Sequence, residues 1–276
     1  MVALVPLSVW QASCGRTMDK VRPGNVCFEA GSAPRTRTGR LLFRQSSGGW
    51  FGASHRRLLF ENTWEWKRSR TMPNPTRITA LVGSYRKGGV IDRAVEEILA
   101  AARESGAETT KIYLIDEPIE FCANCRACTQ TDGVEPGPCV IDDRMGAILD
   151  EIQRSDAIVL ASPMNFGTVT AVMKRFIERL VCCAYWPWGM AAPKVRQRAR
   201  TKRAVVVASS AAPAIMGRWL TSLVGLLKKV ARLLGARRID VLFLGLVALE
   251  QRPDLGARAQ AKARRLGREL ARHRCQ

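Results

Sequence analysis

Cys122, Cys125, Cys128 and Cys139 fall in one short stretch, FCANCRACTQTDGVEPGPCV at residues 121–140, and the first three repeat as C-x2-C-x2-C. Thiolates at that spacing place their sulfurs a few ångströms apart on one flexible segment, as an iron–sulfur cluster requires. Cys139 follows Cys128 after ten residues, and DGVEPGP between them can fold back as a turn. Four thiolates also suit tetrahedral zinc. Free thiols packed in a loop, or a redox disulfide, need no metal at all, and the spacing leaves these readings open.

A second stretch with chemical potential is GSYRKGGVID, from Gly83 to Asp92, which leads directly into a helical pattern. Its glycines let backbone amides turn toward an anion, and the helix N-terminus adds partial positive charge. Ser84, Arg86 and Lys87 can donate hydrogen bonds, so a phosphate is the expected guest. The loop has neither the G-K-[ST] of a Walker loop nor the G-x-G-x-x-G dinucleotide fingerprint. The competing reading is a plain turn with surface cations.

The elements around these loops alternate. Strands are expected at about 78–83, 110–115, 157–162, 204–209 and 239–245, each a short apolar run. Helices intervene: Val95, Ile98, Leu99 and Ala102 follow helical spacing and stop at Gly106, and Asp142 is placed to cap a helix bearing Met145, Ile148, Leu149 and Ile152. Further helices are expected at about 169–183, 220–234 and 254–272. Five such strands, each followed by a helix, imply a parallel sheet covered on both faces by right-handed crossovers. Ligands then bind beyond the carboxyl ends of the strands, which points to the loops after strands one, three and four.

The loop after strand three reads SPMNFGTVTAVMKRFIER, residues 162–179. With it the chain resembles the flavodoxin-like NAD(P)H-dependent FMN reductases. In that family a loop of small residue, Pro, aromatic and Gly lies against the flavin. The next helix carries a Lys, an aromatic and an acid–Arg pair, matched here by Lys174, Phe176 and Glu178-Arg179. Gly83-Ser84 and Lys87 to Gly89 match the phosphate loop, and the likeness runs over about 77–272. Val90 and Ile91 stand where the family often has Asn and Thr, and Asn165 where it often has Tyr.

The resemblance implies a flavodoxin-like, doubly wound α/β fold with a five-stranded parallel sheet in the order 2-1-3-4-5. It implies FMN held at its phosphate by Ser84, Arg86, Lys87, Gly88, Gly89, Val90 and Ile91, and at its ring by Pro163, Met164, Asn165, Phe166 and Gly167. Ser209, Ser210 and Ala211 after strand four would form a third wall. No acid–base triad is implied, because the flavin carries the hydride chemistry. NAD(P)H would be co-substrate, a flavin, quinone or nitro compound the small-molecule acceptor, and a homodimer the assembly. The iron–sulfur flavoproteins are a branch of the same family, with a shorter gap before the last cysteine, so an electron carrier with a cluster on Cys122, Cys125, Cys128 and Cys139 is the alternative. Lys194 to Arg203 could favour the extra phosphate of NADPH or be a solvated loop. Tyr185, Trp186 and Trp188 could form a lid, a dimer contact or plain packing.

Composition bounds the rest. Lys and Arg outnumber Asp and Glu by 44 to 24, a net charge of +20 that would attract any anion. The charges are spread along the chain, so a basic binding module for nucleic acid or an acidic partner is the lesser reading. Nine cysteines, an odd number clustered as C-x-x-C, favour metal or redox chemistry in a reducing cytoplasm over a disulfide framework. Residues 219–249 are the most apolar region and are cut by Lys228-Lys229, Arg232 and Arg237-Arg238, so no membrane span is expected. Residues 1–71 show no sustained period and only four acids, Asp19, Glu29, Glu61 and Glu65. We expect them to be a disordered or spurious extension, with Met72 the real start and 72–276 the FMN-binding domain.

Overall fold

The computed structural model describes residues 74–214, 221–247 and 254–272. The expectations about residues 1–71 and Met72 lie outside the described residues.

Five strands form one parallel sheet: β1 (Arg77–Val82), β2 (Glu108–Tyr113), β3 (Ala157–Pro163), β6 (Lys202–Ser209) and β7 (Ala236–Leu244). Their order is β2-β1-β3-β6-β7, the expected 2-1-3-4-5 once the small strands β4 (Ala184–Tyr185) and β5 (Lys194–Val195) are set aside as an antiparallel pair. The central strands are apolar on both faces because both are covered. Ile158, Leu160, Ala204 and Val206 face one side, Val159, Ala161, Val205 and Val207 the other. The first side is packed by α2 (Met145–Arg154), α3 (Ala171–Arg179) and α4 (Leu223–Leu233), through Ile148, Met173, Phe176 and Leu227. The second is packed by α1 (Val90–Glu104) and α5 (Ala257–Ala271), through Val95, Ile98, Leu99, Leu266 and Leu270. α1 and α5 meet backbone to backbone: a Cβ at Gly267 would lie 2.0 Å from the carbonyl oxygen of Ile98, so only glycine fits that crossing.

Several boundaries differ from expectation for local reasons. β2 begins two residues early, because Glu108 pairs with Arg77 in parallel register. Asp142 does not cap α2; its neighbour Asp143 does the nearest equivalent, accepting from the Met145 amide at 2.9 Å. α3 starts after Thr170, whose hydroxyl accepts from the Met173 amide at 3.2 Å, a conventional N-cap. After Arg179 the chain tightens into a 3-10 turn, Leu180–Cys183, and enters β4.

Candidate functional site

The switch point of the sheet lies between β1 and β3, and Gly83 fixes the geometry there. Its amide donates to Ala161 O at 2.8 Å, and its carbonyl accepts from the Thr170 hydroxyl at 2.6 Å. A Cβ on Gly83 would lie 2.7 Å from Cβ of Met173, so a side chain would push the β1 loop off α3. The loop then crosses to α1 through Gly88, at φ 71°, a conformation that favours glycine. Gly89 is the N-cap position of α1 and offers no side-chain cap. The first-turn amides of a helix have no partners within the helix, so α1 opens toward the loop with its positive end uncapped.

A cleft of about 840 Å³ sits at this point. It takes in the whole predicted run from Ser84 to Ile91, together with Pro163, Asn165 and Ser209. That size and position are those of a small-molecule site at the carboxyl edge of a parallel sheet. The hydroxyl of Ser209 is buried and has no hydrogen-bond partner among the described residues, and a buried donor of this kind calls for one from a ligand. Arg86 and Arg93 add cations at the wall. An uncapped helix end with cations at one end and an unsatisfied hydroxyl at the other fit a phosphorylated ligand with a polar ring, and FMN has that chemistry.

Not every expected residue reaches the cleft. Met164 packs against the core on the α2–α3 side, while its amide ties to Ser209 O at 2.8 Å. Phe166 and Gly167 form the tip of a two-residue turn closed by Asn165 and Thr168, with φ 48° and 78°, and the Phe166 side chain is fully exposed. Gly167 faces α4 instead, its carbonyl accepting from the Ser222 amide at 3.1 Å. Ser210 turns its hydroxyl to Ala212 O at 2.8 Å, and Ala211 is exposed outside the cleft lining. Gly88 and Lys87 line the cleft but are partly committed: the Gly88 amide bonds Asp92, and the Lys87 ammonium lies 2.6 Å from Asp116.

Tyr85, Arg93 and Val247 complete the lining and were missed. Tyr85 sits inside the quoted loop. Arg93 follows Gly89 by one helical turn, a spacing that could have placed it on the same side. Val247 comes from the segment after β7 and left no local signal.

The cysteines lie elsewhere. None of the described cysteines lines the cleft; Cys139 and Cys182 line a separate cavity of about 530 Å³ with Arg179 and Asp143. Cys128 is buried, Cys122 half-buried, and Cys125 and Cys139 exposed, all as free thiols. Among the described residues no three Cys, His, Asp or Glu side chains converge at metal-binding distance. Burial first, then the fields of Cys182, Cys139, Cys122 and Cys125, push the Cys128 thiol up to about 11. Cys182, bonded by the neighbouring Cys183 thiol and buried, is pushed up as well.

Two arginines hold this loop against the β4–β5 segment. Arg196 donates to the carbonyls of Cys182, Ala184, Gly133, Cys128 and Thr131 at 2.7–3.3 Å. Arg126 lies between two indoles, 3.9 Å from the Trp186 ring and 4.2 Å from that of Trp188. The aromatic cluster therefore packs on the cysteine loop. No residue of 194–203 lines the cleft, and Lys202 turns inward to the carbonyls of Gln153 and Ser155. Among the described residues no helix is long and apolar enough to cross a membrane.

Comparison with known proteins places the fold. Two curated relatives are an iron-sulfur flavoprotein of Methanosarcina thermophila, 33% identical over 105 residues (38% of this chain, 52% of the relative), and one of Archaeoglobus fulgidus, 32% identical over 111 residues (40% and 48%). The chain spans about half the length of these relatives. Among solved structures, an FMN-dependent NADH-azoreductase from Bacillus anthracis superposes with TM-score 0.52 at 12% identity, covering 71% of this chain and 97% of that one. An NAD(P)H:quinone oxidoreductase from Methanothermobacter marburgensis gives 0.51 at 18% identity, over 71% and 99%. These likenesses show the shared flavodoxin-like fold. The family model for NADPH-dependent FMN reductase matches residues 76–244, from the start of β1 to the end of β7, and the chain belongs to that family.

Proposed function

We propose that the cleft binds FMN and that the protein is an NAD(P)H-dependent flavin oxidoreductase reducing a small acceptor such as a flavin, quinone or nitro compound. The observation that carries this reading is the cleft itself, where the uncapped end of α1 and the unsatisfied Ser209 hydroxyl face one space. Bound there, FMN would supply the hydride chemistry that no acid–base pair in the cleft provides. The chain's own part is binding and orientation. Ser84, Arg86, Arg93 and the first-turn amides of α1 hold the phosphate, while Pro163, Asn165 and Ser209 bound the ring. Phe166, exposed beside the cleft, is available to the second copy of a homodimer.

The test is NADPH oxidation by the full chain supplied with FMN, with and without a quinone. Turnover that needs both protein and FMN and rises with the quinone supports the reading. A rate no higher than that of free FMN sinks it.

A second reading is favoured by the four cysteines within residues 121–140 and by the two iron-sulfur flavoproteins among the relatives. In it, Cys122, Cys125, Cys128 and Cys139 hold a cluster and the protein is an electron carrier. Among the described residues no group of three or more such side chains stands ready for a single metal ion. Iron and sulfide assays on chain purified without oxygen decide it: stoichiometric iron lost in Cys128→Ser supports it, and iron-free protein removes it.

A further inference from the structure

The phosphate loop contains an anion of its own. Asp92, third residue of α1, is 6% exposed, and its Oδ2 accepts from the Gly88 amide at 2.6 Å. Its other oxygen accepts from the Tyr113 hydroxyl at 3.0 Å and lies 2.6 Å from the Lys111 ammonium. Both partners come from the end of β2. Burial works to raise the Asp92 carboxyl, but the bonds from Lys111, Gly88 and Tyr113 outweigh it and hold the group below its ordinary value. Lys111 keeps a second bond, to Glu96 at 3.0 Å, and the Tyr113 ring lies between the ammoniums of Lys111 and Lys87, 5.0 and 5.1 Å from its centre.

We propose that Asp92 is a positioning residue that closes the phosphate loop from inside, so that affinity for the phosphate end of the ligand depends on a carboxylate the ligand does not touch. The inference rests on the FMN reading of the cleft. The physical reason is preorganisation. Gly88 stands at positive φ with its amide pointing in, so the turn from Arg86 to Val90 is already folded and the remaining amides need no reordering. Lys111 neutralises Asp92, so a phosphate meets Arg86 together with Lys87 and Arg93, which also reach Asp116 and Asp254. An acid in the first turn of a helix is also an ordinary stabiliser, and the test must separate the two roles.

Flavin fluorescence titrations with FMN and with riboflavin, on the full chain, make that separation, because only FMN carries the phosphate. Asp92→Ala should weaken FMN about tenfold, the scale of a lost charge-assisted hydrogen bond, and leave riboflavin within about twofold. Asp92→Asn keeps an acceptor for the Gly88 amide and should stay within about threefold for FMN. If Asp92→Ala does not fold, Tyr113→Phe, which removes one donor to Asp92, should still weaken FMN more than riboflavin. Equal loss for both flavins, or no loss for either, overturns the proposal. So does a wild-type protein that binds riboflavin as tightly as FMN. A wild-type protein that binds neither refutes the FMN reading itself and takes this inference with it.

Discussion

A Cβ placed on Gly137 would lie 1.8 Å from the carbonyl oxygen of Cys128, closer than any contact a folded chain tolerates. The Gly137 amide also donates to Cys182 O at 2.9 Å, so this one residue seats the cysteine loop against the 3-10 turn after α3. Gly137→Ala should cost about 3 kcal/mol, the upper range of overpacking. Urea unfolding checks the cost, and the buried Cys128 thiol should become open to an alkylating reagent.

The five carbonyls on Arg196 predict a local effect of a different kind. Arg196→Met leaves buried acceptors such as Cys128 O short of a donor, and no lysine can reproduce the fork. Hydrogen exchange in residues 127–137 should rise sharply while β1 and β3 stay protected. Uniform exchange across the sheet would contradict the assigned role.

Gly83→Ala tests the seam between the β1 loop and α3, where the added methyl meets Met173 at 2.7 Å. Because that seam sets the mouth of the cleft, FMN affinity should fall about tenfold or more with stability reduced by about 1–3 kcal/mol. Met173→Ala in the same chain should restore part of the affinity by making room.

Arg179 and Asp143 form a buried pair, 2% and 6% exposed, with Nη2 to Oδ1 at 3.1 Å. Burial raises the Asp143 carboxyl, but Arg179 and the amides of Glu120 and Met145 outweigh it and hold the group below its ordinary value. Its folded value lies under its unfolded one, so the stabilisation is complete above about pH 4 and fades as pH falls through the folded value. Wild-type stability should drop on acidification below about pH 4, measured by denaturation across that range. Asp143→Asn should flatten that part of the profile and cost about 3 kcal/mol at neutral pH, since Arg179 stays buried without its counter-charge.

The sheet was readable because its central strands are buried on both faces, which writes ITALV, AIVLAS and AVVVAS as unbroken apolar runs. The turn between β1 and α1 was readable because it needs glycine, and Gly88 stands there at φ 71°. Side-chain commitments were not readable. That Lys111 and Tyr113 bond Asp92, or that Asp116 draws off Lys87, depends on where β2 ends beside β1. Phe166 lies outside the cleft lining because its turn has positive φ at both central residues, which sends the aromatic outward. The two-residue strands β4 and β5 carry no period to detect, and their place is set by Arg196 bonds reaching 68 residues along the chain.

The most direct measurement is the flavin content of the full chain after incubation with FMN and gel filtration, read from its absorption spectrum and by identifying the released flavin. We expect about one FMN per chain, the stoichiometry of a single cleft, and less retained by Gly83→Ala. Protein that emerges without flavin, with all FMN in the small-molecule fractions, would contradict this expectation.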